Sequence, residues 1–175
     1  MGWLRNFLGK EKMLEDADLS QLKTDFHSHL IPGIDDGSPD MESSLEMIRK
    51  FKELGYQKLI TTPHVMSDFY KNDNKIILDG LSELRTACAE AEIDIELEAS
   101  AEYYLDENFE KLIDSKEILS FSGDFVLFEL SFLSEPQNLN EIIFKLQMAG
   151  YRTILAHPER YSFWYGNFDK FRELK

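Results

Sequence analysis

The sequence holds a single cysteine, Cys88, among its 175 residues. An intramolecular disulfide is therefore impossible, and the composition fits a reducing, cytoplasmic setting. Cys88 falls on the apolar face of a predicted helix and reads as a buried structural thiol. Basic charge is also scarce: 19 Lys and Arg stand against 33 Asp and Glu, a formal net charge of -14. There is no Lys/Arg stripe of the kind that nucleic acid requires, which argues against that class of partner. The same acidity is awkward for an enzyme of anionic substrates unless bound cations reverse the local field. No apolar run approaches the roughly 18 residues of a membrane span, so stable membrane insertion is not expected. The opening MGWLRNFLGKEK lacks the apolar stretch of a signal peptide, and Asn6 stands where a myristoylation motif wants Ser or Thr. A Gly-rich phosphate loop, a G-x-S-x-G elbow and the C-x5-R loop of cysteine phosphatases are all missing.

What is present is a globular composition, 43% hydrophobic and 30% charged, of a length that suits one domain. Residues 1–20 read as a helical or loose extension, and residues 21–175 as the domain. Leu22 to His27 predicts a first strand. Ser38, Pro39 and Asp40 form a helix-start signal, with Ser38 as the capping hydroxyl and Pro39 at the first helical position. Met41, Leu45, Ile48 and Phe51 follow helical spacing up to Gly55. Leu59–Thr61 predicts a second strand running into Thr62-Pro63-His64. Ile77, Leu81, Leu84, Cys88 and Ala91 mark a second helix. Ile93–Ala99 alternates as a third strand ending near Glu102, and a short helix follows around Phe109–Ile113. Asp124–Phe132 is a fourth strand, apolar except for Glu129. Leu139 to Ala149 is helical up to Gly150, Arg152–Ala156 is a fifth strand, and a last helix begins near Phe168. Strands alternating with helices imply βαβ units and a parallel α/β sheet.

The polar residues of interest share one position in this pattern. His27, His29, His64 and His157 are the only histidines, and all lie in strand-end segments. Glu102 and Glu129 fall there too. In parallel α/β folds this edge is where sites assemble. His27 and His29 share one side of an extended backbone, because strand side chains repeat every two residues. Glu129 interrupts FVLFELSF, where an unpaired carboxylate would cost several kcal/mol, so it is paired or metal-bound. A structural salt bridge to Arg160 is the alternative. Glu98 and Glu107 compete with Glu102, whose place after the third strand favours it. Asp35 and Asp36 are either ligands or caps of the turn that follows. Mixed His and carboxylate donors without cysteine suit Mn, Fe or Zn with open positions for water. Such a centre would supply the missing positive charge, and Arg160 is a natural clamp for a phosphate oxygen. The aromatic run Tyr161, Phe163, Trp164 and Tyr165 reads as packing around a loop in preference to an aryl pocket.

These segments, DFHSHLIPGIDDG, TPH, Glu102, FEL and AHPERY, resemble the polymerase and histidinol phosphatase (PHP) superfamily. More narrowly they are similar to its bacterial tyrosine-protein phosphatases from capsule and exopolysaccharide operons. The resemblance spans about Thr24 to Tyr161. It implies a distorted (β/α)7 TIM-like barrel, of which about five βα units are present, and a centre of up to three metal ions, manganese or iron, with zinc possible. It also implies phosphotyrosine hydrolysis on the tail of a bacterial tyrosine autokinase, without a phospho-enzyme, and leaves a homo-oligomer open. By position, His27, His29 and Glu102 would hold one metal and Glu102 would bridge to a second held by Glu129. Asp36, His64 and His157 would complete the sites, and Arg160 and Asp36 would act in catalysis. The family pattern continues after AHPERY with an Asp-x-His motif that this sequence lacks, so the expectation is a C-terminally incomplete domain. A PHP phosphoesterase of another specificity, histidinol phosphate for example, and a non-hydrolysing metal-binding partner of the kinase are the competing readings.

Overall fold

The computed structural model describes Asp18 and residues 21–174. The expected extension at residues 1–20 lies outside the described residues, Asp18 excepted. Strands β1 (Thr24–Ser28), β2 (Lys58–Thr61), β3 (His64–Val65), β4 (Glu96–Ala99), β5 (Glu102–Tyr104), β6 (Phe125–Glu129) and β7 (Arg152–Leu155) alternate with helices. The helices are α1 (Met41–Glu53), α2 (Asn74–Glu90), α3 (Glu107–Ser115), α4 (Leu139–Met148) and α5 (Phe168–Glu173). Short 3-10 turns at Pro158–Arg160 and Ser162–Trp164 follow β7.

Asp starts three of these helices by supplying an acceptor to an orphan amide of the first turn. Asp40 accepts from Ser43 N at 2.8 Å, Asp73 from Ile76 N at 2.8 Å and Asp106 from Phe109 N at 2.9 Å. The cap of α1 is thus Asp40 and not Ser38, and Pro39 precedes the helix. The Ser38 hydroxyl donates instead to Asp40 O at 2.8 Å, because the preceding loop has already buried it. Gly55 and Gly150, at φ 94° and 92°, end α1 and α4 where the sequence places their stops.

All strand pairs are parallel, in the orders β1-β2-β4 and β3-β5-β6-β7. The second and third strands end where expected, at Thr61 and Ala99, and each is followed by a short further strand, β3 and β5, that the sequence pattern does not predict. Thr62-Pro63 separates β2 from β3, and Ser100-Ala101 separates β4 from β5. Proline has no N–H to give the ladder, so the second strand cannot run through Pro63 unbroken. Hydrogen bonds carry the pairing across the gaps, from Thr62 N to Ser28 O at 2.7 Å, Ser100 N to Thr61 O at 2.9 Å and Glu102 N to Pro63 O at 3.0 Å. The result is five parallel tracks in chain order, bent where the two sheets meet.

Strand limits differ from expectation where tertiary bonds replace the ladder. The third strand starts at Glu96 and not Ile93, whose amide closes the end of α2 on Cys88 O at 2.9 Å. The fourth stops at Glu129 and not Phe132, because Leu130 N turns to the Tyr161 hydroxyl at 3.0 Å. β1 carries one residue more than β2 between the pairs Asp25–Leu59 and Ser28–Thr61, a bulge beside His27.

Both faces of the sheet are apolar, as a parallel sheet requires. Ile48, Leu59, Leu84, Leu97, Phe128 and Leu146 pack in one cluster with the helices, and Cys88 is buried among them. On the other face, Ile60, Phe121, Leu127 and Ala156 form a smaller cluster. The aromatic run after β7 is packing, as expected. Tyr161 and Trp164 are buried with rings 5.3 Å apart, and Trp164 Nε1 donates to Glu135 at 2.7 Å.

Tyr161 also ties the ends of β6 and β7. Its buried hydroxyl accepts from Leu130 N and donates to Ala156 O at 2.9 Å. Replacing it with Phe strands a buried donor and a buried acceptor. Tyr161→Phe is expected to lower stability in urea unfolding by roughly 1–3 kcal/mol; an unchanged midpoint would contradict the role given to this hydroxyl.

Candidate metal centre

The loop from His29 to Ser38 fixes the first histidines. Ser38 N donates to His29 O at 3.1 Å and Gly33 N to Ser38 O at 2.8 Å, drawing the loop back on the end of β1. Gly37 lies so close that a Cβ there would stand 2.3 Å from His29 Cβ and 2.5 Å from His29 O. Only glycine fits. Closure brings Asp35 under His29, and His29 Nδ1 donates to Asp35 Oδ2 at 2.7 Å. The same carboxylate accepts from His64 N at 3.0 Å and Gly37 N at 2.9 Å. On the first strand, His27 Nδ1 lies 2.8 Å from Thr62 Oγ1. Each ring is anchored through Nδ1, which leaves Nε2 to face the site.

Those free nitrogens converge on Glu102. The Glu102 side chain has no exposed surface, and among the described residues neither oxygen has a partner in hydrogen-bonding geometry. Around it stand His157 Nε2 at 3.0 Å, His29 Nε2 and His64 Nδ1 at 3.3 Å each, and His27 Nε2 at 3.6 Å. His27 Nε2 and His157 Nε2 are 3.2 Å apart. Ligands about 2.1 Å from one ion are separated by about 3.0–3.4 Å, so these spacings match the edges of a coordination shell. His64 Nδ1 also lies 3.1 Å from Glu129 Oε1, and His64 Nε2 3.4 Å from Asp36 Oδ1. Three overlapping triads result, His27/His29/Glu102, His29/Asp36/His64 and His64/Glu102/Glu129, each with ligand atoms within 4.8 Å of one another. His157 joins through Glu102. It turns in the left-handed region at φ 50°, a conformation uncommon outside glycine, to aim its ring from the end of β7.

Every expected histidine and glutamate is therefore in one place. Glu129 is paired with His64, and Glu98 and Glu107 are elsewhere: Glu98 bonds Lys58 Nζ at 2.6 Å, and Glu107 opens α3. Asp36 reaches the site with 63% of its side chain exposed. Arg160 is exposed on the wall of the same cleft, a space of about 770 Å³. From sequence alone Asp35 is either a ligand or a turn cap, and nothing in the local pattern marks Thr62. Asp35 is a support for His29, and the only sequence signal for this was its place six residues after the histidine it holds.

The electrostatics set His27 apart from His29 and His64. Burial is the largest influence on His27 and, with neighbouring imidazoles, holds its pKa down to about 4 against the pull of Glu102. Burial also opposes protonation of His29, but the hydrogen bond to Asp35 and the charges of Asp35 and Glu102 outweigh it and raise the value to about 9. His64 is raised as well, its contact with Glu129 and the charge of Glu102 overcoming burial. Burial would lift Glu102 and Asp35; the histidines around Glu102, and His29 with two backbone amides around Asp35, hold both below the usual carboxylate range.

These directions fix the response to metal. In the metal-free protein, His29 contributes stability that is fully present below pH 6.5 and is lost as pH rises through about 9. His27 acts in the other direction, its neutral burial destabilising the fold as pH falls from 6.5 towards 4. A metal takes only the unprotonated nitrogen. The rise in melting temperature given by excess Mn should therefore grow between pH 6.5 and 9. Asp35→Asn should shift that growth to lower pH and weaken Mn binding by roughly 10–100-fold. A pH-independent Mn effect, equal in the variant, would contradict the arrangement.

Comparison with known proteins follows the same residues. A profile of the family described as capsular polysaccharide synthesis, CpsB/CapC, matches residues 23–175. The tyrosine-protein phosphatase YwqE of Bacillus subtilis is 28% identical over 137 residues, covering 78% of this chain and 54% of YwqE. The tyrosine-protein phosphatase CpsB of Streptococcus pneumoniae is 26% identical over 152 residues, 86% of this chain and 62% of CpsB. A crystal structure from work on YwqE and CpsB, described there as metal-dependent tyrosine phosphatases, superposes with a TM-score of 0.80 at 27% identity, covering 86% of this chain and 62% of the other. The chain thus spans somewhat over half the length of the relatives it matches.

Proposed function

The chain belongs to the CpsB/CapC family of capsular polysaccharide synthesis, and from that membership we propose that it is a cytoplasmic, metal-dependent protein-tyrosine phosphatase domain acting on the phosphotyrosine tail of a bacterial tyrosine autokinase. Residues 21–175 are read as this domain, and its five strand tracks as part of a PHP-type distorted (β/α)7 barrel. The observation that carries the reading is the buried Glu102 carboxylate ringed by four imidazoles. The names of YwqE and CpsB and the capsule-synthesis family support the substrate and the kinase partner.

His27, His29, Glu102 and His157 would hold one divalent ion, and Asp36, His64 and Glu129, with Glu102 shared, the others. Manganese or iron fits this cysteine-free donor set best, with zinc next. Such ions neutralise phosphate charge and bring the pKa of water close to neutrality. Arg160, on the cleft wall, donates to a phosphate oxygen and orients the ester. Asp35 and Thr62 hold His29 and His27 so that Nε2 stays turned inward. Asp36, at the open side, accepts a proton as water attacks phosphorus in line. The P–O bond to the tyrosine ring breaks, the phenolate takes the proton held by Asp36, and tyrosine and inorganic phosphate leave.

Incubation of the Mn-loaded protein with a phosphotyrosine peptide, with histidinol phosphate beside it, tests the reading. Phosphate release from the peptide is expected, abolished by chelation and restored by Mn. Arg160→Ala should lower kcat/KM by roughly 10–100-fold. Release that persists under chelation, or preference for histidinol phosphate, would overturn the proposal.

A further inference from the structure

The cleft above the ligand cluster changes character from floor to rim. Its floor is imidazole and carboxylate, while its rim bears large apolar side chains left in water. One lip is the loop from Met66 to Tyr70, closed on itself by Met66 N to Tyr70 O at 2.9 Å and Tyr70 N to Met66 O at 3.1 Å. This loop presents Phe69, 77% exposed, beside Tyr70, whose ring stacks on His64 with centroids 5.3 Å apart. The second lip follows β6 and presents Phe132, 45% exposed, and Leu133, 91% exposed. Phe132 is held in place by stacking on Tyr161 at 5.9 Å, and the Arg160 guanidinium lies 5.8 Å from its ring centroid. Phe69, Tyr70, Phe132, Leu133 and Arg160 line the same cleft as His27, His29, His64 and Glu102.

Exposed large apolar groups gathered at one opening mark a binding surface when they border a polar site. A ligand that satisfies this cleft carries a dianionic head joined directly to a flat apolar body. We propose that Phe69, Phe132 and Leu133 grip the aromatic ring of phosphotyrosine while its phosphate sits on the cluster, and so set the preference for aryl over alkyl phosphomonoesters. This rests on the phosphatase reading and names the residues that give it specificity. An alkyl ester such as phosphoserine places no ring between the lips, so their apolar surface stays wet and contributes nothing to binding. The ring is recognised by these residues and not by the run from Tyr161 to Tyr165, whose Tyr161 and Trp164 are buried in packing.

Phenylphosphonate and methylphosphonate separate ring from head group without turnover. Calorimetric titration of the Mn-loaded protein should show phenylphosphonate bound about tenfold more tightly, the effect of partly burying one ring between apolar walls. In the double variant Phe69→Ala/Leu133→Ala the ratio should fall to about threefold or less. Both side chains are largely exposed, so the variant is expected to keep the wild-type melting temperature. Equal affinity for the two ligands in the wild type, or a tenfold ratio retained in the folded double variant, would overturn the lips as specificity elements and leave the phosphatase reading standing. Failure to bind either phosphonate would overturn both.

Discussion

A carboxylate with no exposed surface and no hydrogen bond costs several kcal/mol unless a charge answers it. Glu102 is in that position, with four imidazoles around it and Glu129, Asp35 and Asp36 close to those imidazoles. Protons on the histidines answer part of this negative charge, which is why His29 and His64 are raised. They cannot answer all of it, since His27 is held to about 4 and stays neutral. A shared divalent ion would resolve the conflict by using the same nitrogens and oxygens as donors. The acidity of the whole chain, -14, would then cease to be an obstacle to an anionic substrate.

The fold exists to hold that carboxylate at the meeting point of distant segments. Glu102 begins β5, the track at the centre of the surface, while His27 and His157 come from β1 and the end of β7 at its two margins. A flat sheet would keep those margins well apart, at about 4.8 Å per strand. Breaking two tracks at Thr62-Pro63 and Ser100-Ala101 lets the surface bend until the rings of His27 and His157 are 4.9 Å apart. Apolar packing on both faces keeps the bend, and the Tyr161 hydroxyl fastens its far side.

Much of this was legible in the sequence because strand-end placement and residue chemistry agree. The four histidines, Glu102 and Glu129 need only the order of strands and helices to be gathered at one edge. The division of labour between Asp35 and Asp36 was not legible, because it depends on the approach of Gly37 to His29. Ser38 looked like the helix cap, yet Asp40 offers the stronger charged acceptor to the Ser43 amide and wins. The short strands β3 and β5 were hidden because segments of two and three residues are too short to show a side-chain period. The rim residues Phe69 and Leu133 carried no signal, since exposure is set by the fold and not by the local pattern.

Glu102 and its imidazoles are proposed as metal donors. The most direct measurement is anomalous scattering from crystals grown with Mn, collected above the manganese edge. A peak is expected in contact with a Glu102 oxygen and with Nε2 of His27 and His29. A map with no anomalous peak there, and Glu102 hydrogen-bonded to protonated histidines instead, would contradict it.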